Sequence, residues 1–448
     1  LDHADETHAR RNSAYARLTT MKIIILATYL CGFLRLGAAD WPEFRGPNRT
    51  GISEDRNLPL EWSDTENIIW KAALPGPGAS SPITLGNHIY ITCYSGYGVN
   101  RESPGQYENL TRHVVCLDAR DGKILWNIAK PNKVPDDHWG DYINRHGYAS
   151  STPAADGSGL YVFFGSTGLG AYNHDGTLRW EKSCGTRYQN FGSASSPVLF
   201  GDLVIVNADI EGSGIMAFDK STGREVWRVP TASNARSTPL IVPVNNSHEL
   251  VFHLKGSNNN NSREGRLAGV NPLNGTGLWE CQALDSYLHP SPISAADMVY
   301  AIGSYPGWAV AIRAGGRGDV TATHKIWELK KGSTVCTPVF YQGHVYWTYE
   351  DRGIACCLNA KTGAIVYEER LQPTPGLIYA SGVIADGKLY CVSRERGTYV
   401  LSAKPTFELL AHNVIASDTS IFNATPAIHN NRLLLRSDRF LYCVGTKN

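Results

Sequence analysis

The segment Ile215-Met216-Ala217-Phe218-Asp219-Lys220-Ser221-Thr222-Gly223-Arg224-Glu225-Val226-Trp227 decides the fold. Its first four residues are apolar and favour an extended chain. Asp219 can hydrogen-bond the turn backbone, and Gly223 supplies the positive φ of a tight reversal. A second short strand then ends on Trp227. Read alone, this is a β-hairpin. It is not alone.

The same hairpin returns as VVCLDARDGKILW (114–126), LGAYNHDGTLRW (169–180), LAGVNPLNGTGLW (267–279) and ACCLNAKTGAIVY (355–367). A stretched copy spans 309–327 and a decayed one 398–410, while the eighth place carries only FLYCVG (440–445). A second pattern precedes each copy: a small or hydroxyl residue, a Pro, a short apolar run, a turn and an alternating strand. Its marker falls at 82, 153, 197, 239, 292, 338, 382 (Gly382) and 426, and five of the seven intervals are 42–46 residues. Each unit therefore reads as four short strands, A to D. Eight such units predict an all-β, eight-bladed β-propeller of four-stranded antiparallel blades.

The eighth unit lacks its outer strand, and NIIW (67–70) is an orphan strand at the other end. Trp70 stands where a D-strand Trp is due. The N-terminal strand is thus expected to complete the last blade and to close the ring without an open edge.

Composition agrees. With 44 Gly, 11 Trp and 22 Tyr, and only 19% charged residues, the chain is turn-rich and aromatic rather than helical. Forty-two basic and 41 acidic residues leave a formal charge of +1, which excludes a bulk nucleic-acid-binding design. Met21-Lys22, the apolar run 23–34 and the small residues up to Ala39 resemble a secretory signal cleaved near Ala39, with residues 1–20 upstream of it. The apolar run is too short to span a bilayer. The expected organisation is residues 1–39 as leader and signal and 40–448 as one propeller, with 40–66 as a strap. The expected protein is an exported, periplasmic or extracellular monomer.

The repeat assigns many residues to structure. Trp70, Trp126, Trp180, Trp227, Trp279, Trp327 and Tyr367 share one position and are expected to fill blade-to-blade contacts. Cys116, Cys357 and Cys443 share another, with Ala171, Ala217, Gly269, Ala311 and Val400, so that site calls for a small apolar side chain. Adjacent Cys356 and Cys357 are expected on opposite faces of one strand. No CxxC or haem-attachment spacing occurs among the cysteines.

The tight copy from Ala217 to Trp227 matches the AxDxxTGxxxW repeat and resembles the pyrroloquinoline-quinone (PQQ)-like propeller family across residues 40–448. WPEFRGPNRTG (41–51) and the stretch 58–82 are similar to the opening of its secreted members. The resemblance implies an eight-bladed ring. It also implies one of two functions. One branch comprises PQQ- and calcium-dependent alcohol dehydrogenases. The other is related to the propeller subunit of the outer-membrane β-barrel assembly machinery, which binds partner proteins without a cofactor. This chain departs from the first branch in being shorter and in having its vicinal cysteines in a repeat strand, and the calcium-binding Glu/Asn pair and catalytic Asp of that branch are carried over to no position here. It departs from the second in lacking a lipid-attachment Cys.

In a four-stranded meander the A–B and C–D turns share one face of the ring, and the B–C and D–A links share the other. The long links 94–112, 130–149 and 254–266 put function on the second face. The residue three before each A-strand marker should line the tunnel rim: Ala79, Ser150, Ala194, Arg236, His289, Val335, Tyr379 and Asn423. Of these, Arg236, His289, Tyr379 and Asn423 are candidates for a polar ligand. Asp136, Asp137, His138, Trp139, Asp141 and His146 cluster in one loop without a recognisable metal spacing. His138, Trp139, Tyr142, His146, Tyr188 and Phe191 are candidates for a partner- or sugar-binding surface. Arg317-Gly318-Asp319 reads as a turn. The leading expectation is a non-catalytic scaffold that binds a protein, peptide or polysaccharide of the cell envelope. The alternative is a PQQ- and calcium-dependent dehydrogenase.

Overall fold

The third unit shows how the repeat becomes a blade. Strands Val198–Phe200, Leu203–Ala208, Gly214–Asp219 and Glu225–Val229 pair antiparallel in that order. In a computed structural model of the chain, which describes residues 40–140, 142–231, 234–254, 265–284 and 287–446, eight such sheets form a propeller. The leader reading at 1–39 lies outside the described residues.

The register explains the small-residue position. Ala217 faces Trp227 across the C–D pair, and the same opposition sets Cys116 against Trp126, Ala171 against Trp180, Gly269 against Trp279, Ala311 against Trp327 and Cys357 against Tyr367. Only where the large side is reduced, at Ala411, does the small side grow, to Val400. All eight C–D pairs also carry a register shift next to this pair. Such a bulge twists the outer strand and re-aims its aromatic toward the next blade.

Each Trp lands on the neighbouring blade's C–D turn. The indole N–H groups of Trp126, Trp180, Trp227 and Trp327 donate to the carbonyls of His174, Lys220, Pro272 and Ala360 at 2.9–3.0 Å. The ring lies over the turn glycine: a Cβ on Gly223 would stand 2.6 Å from Trp180. Trp279 differs because the fifth unit's C–D link is stretched. Its indole donates instead to buried Glu249 at 2.7 Å, which also accepts the Gly315 N–H. Within that link Gly318–Asp319 is not a turn but an edge strand, parallel to Trp279–Glu280. Cys356 and Cys357 bury in different hydrophobic clusters, on opposite faces of their sheet.

The ring closes as expected. Ile68–Ala73 pairs antiparallel with Phe440–Val444 and supplies the fourth strand of the last blade, with Trp70 opposite Cys443.

Two features hold the inner ring. The first is a belt of hydroxyls, one before each A-strand marker. The backbone N–H of Ser81 donates to Thr152, and so on through Ser196, Thr238, Ser291, Thr337 and Ser381 to Thr425, at 2.9–3.0 Å per step. At the seam between last and first blades, buried Arg436 takes over, donating to the Ser80 carbonyl and hydroxyl at 2.7 and 2.6 Å. The second is the strap. Trp41 exchanges hydrogen bonds with Thr84, the Pro42 carbonyl accepts from Ala155, Arg49 donates to Leu199, and Ile52–Ser53 runs parallel to Ile384–Ala385. These partners are A strands of the first, second, third and seventh blades. The strap therefore crosses the bore at its A–B end and closes it.

Candidate functional site

At the opposite end the bore widens into a cavity of about 400 Å³. Its floor includes Phe44 of the strap, and all eight residues of the belt line its wall. All eight rim positions named above also line it, so Arg236, His289, Tyr379 and Asn423 face one space.

Their chemistry is uneven. Arg236 is only 8% exposed and spends Nε and Nη1 on the carbonyls of Gly192 and Asn234. Its guanidinium lies 5.0 Å over the Phe191 ring, and burial pulls its pKa down to about 10. His289 Nδ1 lies 3.2 Å from the Thr334 carbonyl, which requires the proton there and leaves Nε2 as an acceptor. Burial first, and Arg236 second, hold this imidazole neutral with a pKa near 3. Asn423 donates to the Arg145 carbonyl, while its Oδ1 is buried without a protein partner. Tyr379 carries the Arg394 guanidinium 4.4 Å from its ring.

The end of the 130–149 link, with Tyr142, Arg145 and His146, reaches this mouth. The Arg145 carbonyl is held by Arg394 and Asn423 from the seventh and eighth blades. His146 donates from Nε2 to the Phe191 carbonyl and accepts the Ser150 hydroxyl at Nδ1, which fixes it as neutral; burial lowers its pKa to about 4. His146 thus anchors the loop through both ring nitrogens and is half-buried at the cavity wall. Tyr142 stacks on Phe191 at 4.1 Å with planes 11° apart. Tyr188 joins Tyr142 and Phe191 in an adjoining groove.

The other two surface candidates lie apart from this mouth. Trp139 covers Gly98 and donates to the Arg101 carbonyl, and His138 sits 4.7 Å from Tyr107. Asp136 is taken by Arg112, and burial raises Asp137 to about 6. Asp141 lies outside the described residues. Among the described residues no three His, Cys, Asp or Glu converge on a metal geometry.

Sequence reading missed three lining features: Phe44, Tyr287 and the belt. The belt did have a signal, a hydroxyl directly before the marker in all eight copies.

A family profile described as outer membrane protein assembly factor BamB matches residues 110–366. The chain belongs to that family. Among solved structures, BamB from Moraxella catarrhalis aligns with a TM-score of 0.58 at 16% identity, over 85% of this chain and 98% of that one. A europium-containing methanol dehydrogenase aligns at 0.63 with 12% identity, over 89% of each chain. A quinohemoprotein alcohol dehydrogenase from Comamonas testosteroni aligns at 0.57 with 12% identity, over 92% of this chain and 82% of that one. At these identities the likeness is one of fold. No curated protein matches significantly.

For the PQQ and calcium that the sequence resemblance raised, the cavity carboxylates are Glu350 and Asp351. The carboxylate of Glu350 in the cavity is occupied by Ser333 and Thr334. Cys356 and Cys357 are buried within their sheet rather than at the mouth.

Proposed function

We propose that the chain is an exported, non-catalytic scaffold of the cell envelope that binds a protein, peptide or polysaccharide through its B–C/D–A face. The observation that carries this reading is the mouth of the cavity, where exposed aromatics surround a blind, polar hole. Export rests on the signal-like stretch before Ala39. Among the described residues no helix is long and apolar enough to cross a membrane.

Capture from an envelope extract tests the proposal, with the native chain compared against one whose 130–149 link is replaced by a short turn. Loss of the captured partner supports the face. Equal recovery from both proteins counts against it.

The dehydrogenase reading draws on the axial cavity and on the fold of the quinoprotein neighbours. Titration calorimetry with PQQ and Ca²⁺, together with a dye-linked alcohol oxidation assay, separates the two. The scaffold reading expects neither heat nor turnover.

A further inference from the structure

The aromatics at the mouth form a continuous arc. From the Tyr142–Phe191 stack it passes to His289 at 5.6 Å, then to Tyr287 at 5.9 Å and Tyr305 at 5.9 Å. Tyr142, Tyr188, Tyr287 and Tyr305 are 45, 46, 49 and 73% exposed. Large rings held this far into water on a rigid scaffold are suited to covering by a ligand with an apolar face. Planar amides interleave them: Gln189 and Asn234, hydrogen-bonded to each other at 3.0 Å, and Asn190.

Below the arc, the eight belt residues line the cavity, with the Ser81 hydroxyl enclosed by protein. Seven accept a backbone N–H, and none of the eight donates its own proton to another described protein group. His289 Nε2 is an acceptor in the same wall. A ligand here must carry many oxygen acceptors on a compact body, and some donors. A sugar bears a hydroxyl on most carbons, each both donor and acceptor, and a C–H face that lies flat on an aromatic ring. A peptide tip offers far fewer such groups. The charges are mixed rather than of one sign, since Arg145 and Arg236, the latter with two donors already spent, share the cavity with Glu350 and Asp351. The strap and Phe44 close the far end, so a polymer enters only by an end. The volume suits a small ligand rather than a folded domain.

We infer that the cavity and its groove bind the end of a neutral oligosaccharide, the terminal sugar among the belt hydroxyls and the following residues on Tyr142 and Tyr287. This rests on the reading of the B–C/D–A face as the binding face and names its ligand class.

Calorimetric titration of the full chain with cello-, laminari-, manno- and chito-oligosaccharides tests it. At least one linear series binds, Tyr142→Ala and Tyr287→Ala each weaken it about tenfold or more, and Leu273→Ala on the opposite face leaves it unchanged. A cyclic glucan, which has no end, does not compete. Three results overturn the inference: no series binding, binding that survives both tyrosine substitutions, or competition by the cyclic glucan. If no sugar binds but the tyrosine variants still lose an envelope partner in the capture experiment, the glycan assignment falls and the binding face stands. If neither changes, both fall.

Discussion

The indole N–H of Trp70 donates to the carbonyl of Ala119 at 3.2 Å, joining a strand from the start of the chain to the first blade's C–D turn. Trp70 meanwhile sits opposite Cys443 in the last blade. One side chain thus completes the final sheet and docks it onto the first.

Removing residues up to and including Trp70 deletes that strand and the strap together. The whole ring is expected to lose stability, seen as a large drop in thermal midpoint. The single change Trp70→Ala is expected to cost ~3–5 kcal/mol in denaturant unfolding, as for other buried aromatics. An unchanged unfolding curve for the truncated chain would remove the closure argument.

Gly223→Ala separates two costs. Gly223 has a φ of 68°, and an added Cβ would meet the Trp180 ring at 2.6 Å. Gly201 has a φ of 53° with nothing within 4 Å of the added atom. Both substitutions carry the left-handed backbone penalty of ~1–2 kcal/mol, but only the first also displaces a docking indole. Gly223→Ala should be clearly the more destabilising of the two. Equal losses mean that the turn glycines serve conformation alone.

The hydroxyl belt makes a similar contrast. Ser196→Ala strands the Thr152 N–H, a buried donor worth ~1–3 kcal/mol when left unpaired. Ser81→Ala removes a hydroxyl that accepts nothing from the protein among the described residues, and should cost little. Chemical denaturation of the two variants side by side reads the difference.

Much of this architecture was legible because the repeat is periodic. Trp70 could be placed in the last blade because it was a D-strand Trp without a unit of its own. The rim could be placed because one offset from a marker recurs eight times. The strap's crossing was not legible: Trp41 with Thr84, Arg49 with Leu199 and Ile52 with Ile384 are single long-range pairs without period. The belt was missed for a different reason, since Ser or Thr before Pro also suits a turn. Tyr287 lies two residues before His289 but outside the repeat pattern, and only folding brings Tyr305 beside it.

Glu211 makes stability depend on pH. Its side chain is buried, and that burial raises its carboxyl from the ordinary 4.5 to about 8. The folded state therefore holds a proton that the unfolded chain has already released. Between those values stability falls as pH rises, and above about 8 the loss is complete. Glu211→Gln should flatten this decline, measured as thermal midpoints from pH 5 to pH 9. A parallel decline in both proteins assigns it to other groups.

The central claim is that the ligand or partner meets the B–C/D–A face. The most direct measurement is photo-crosslinking in the producing cell from a benzophenone amino acid at position 287, beside the cavity, and at position 273, on the opposite C–D turn. The account predicts a discrete envelope adduct from 287, absent from 273. An adduct from 273 with none from 287 contradicts it.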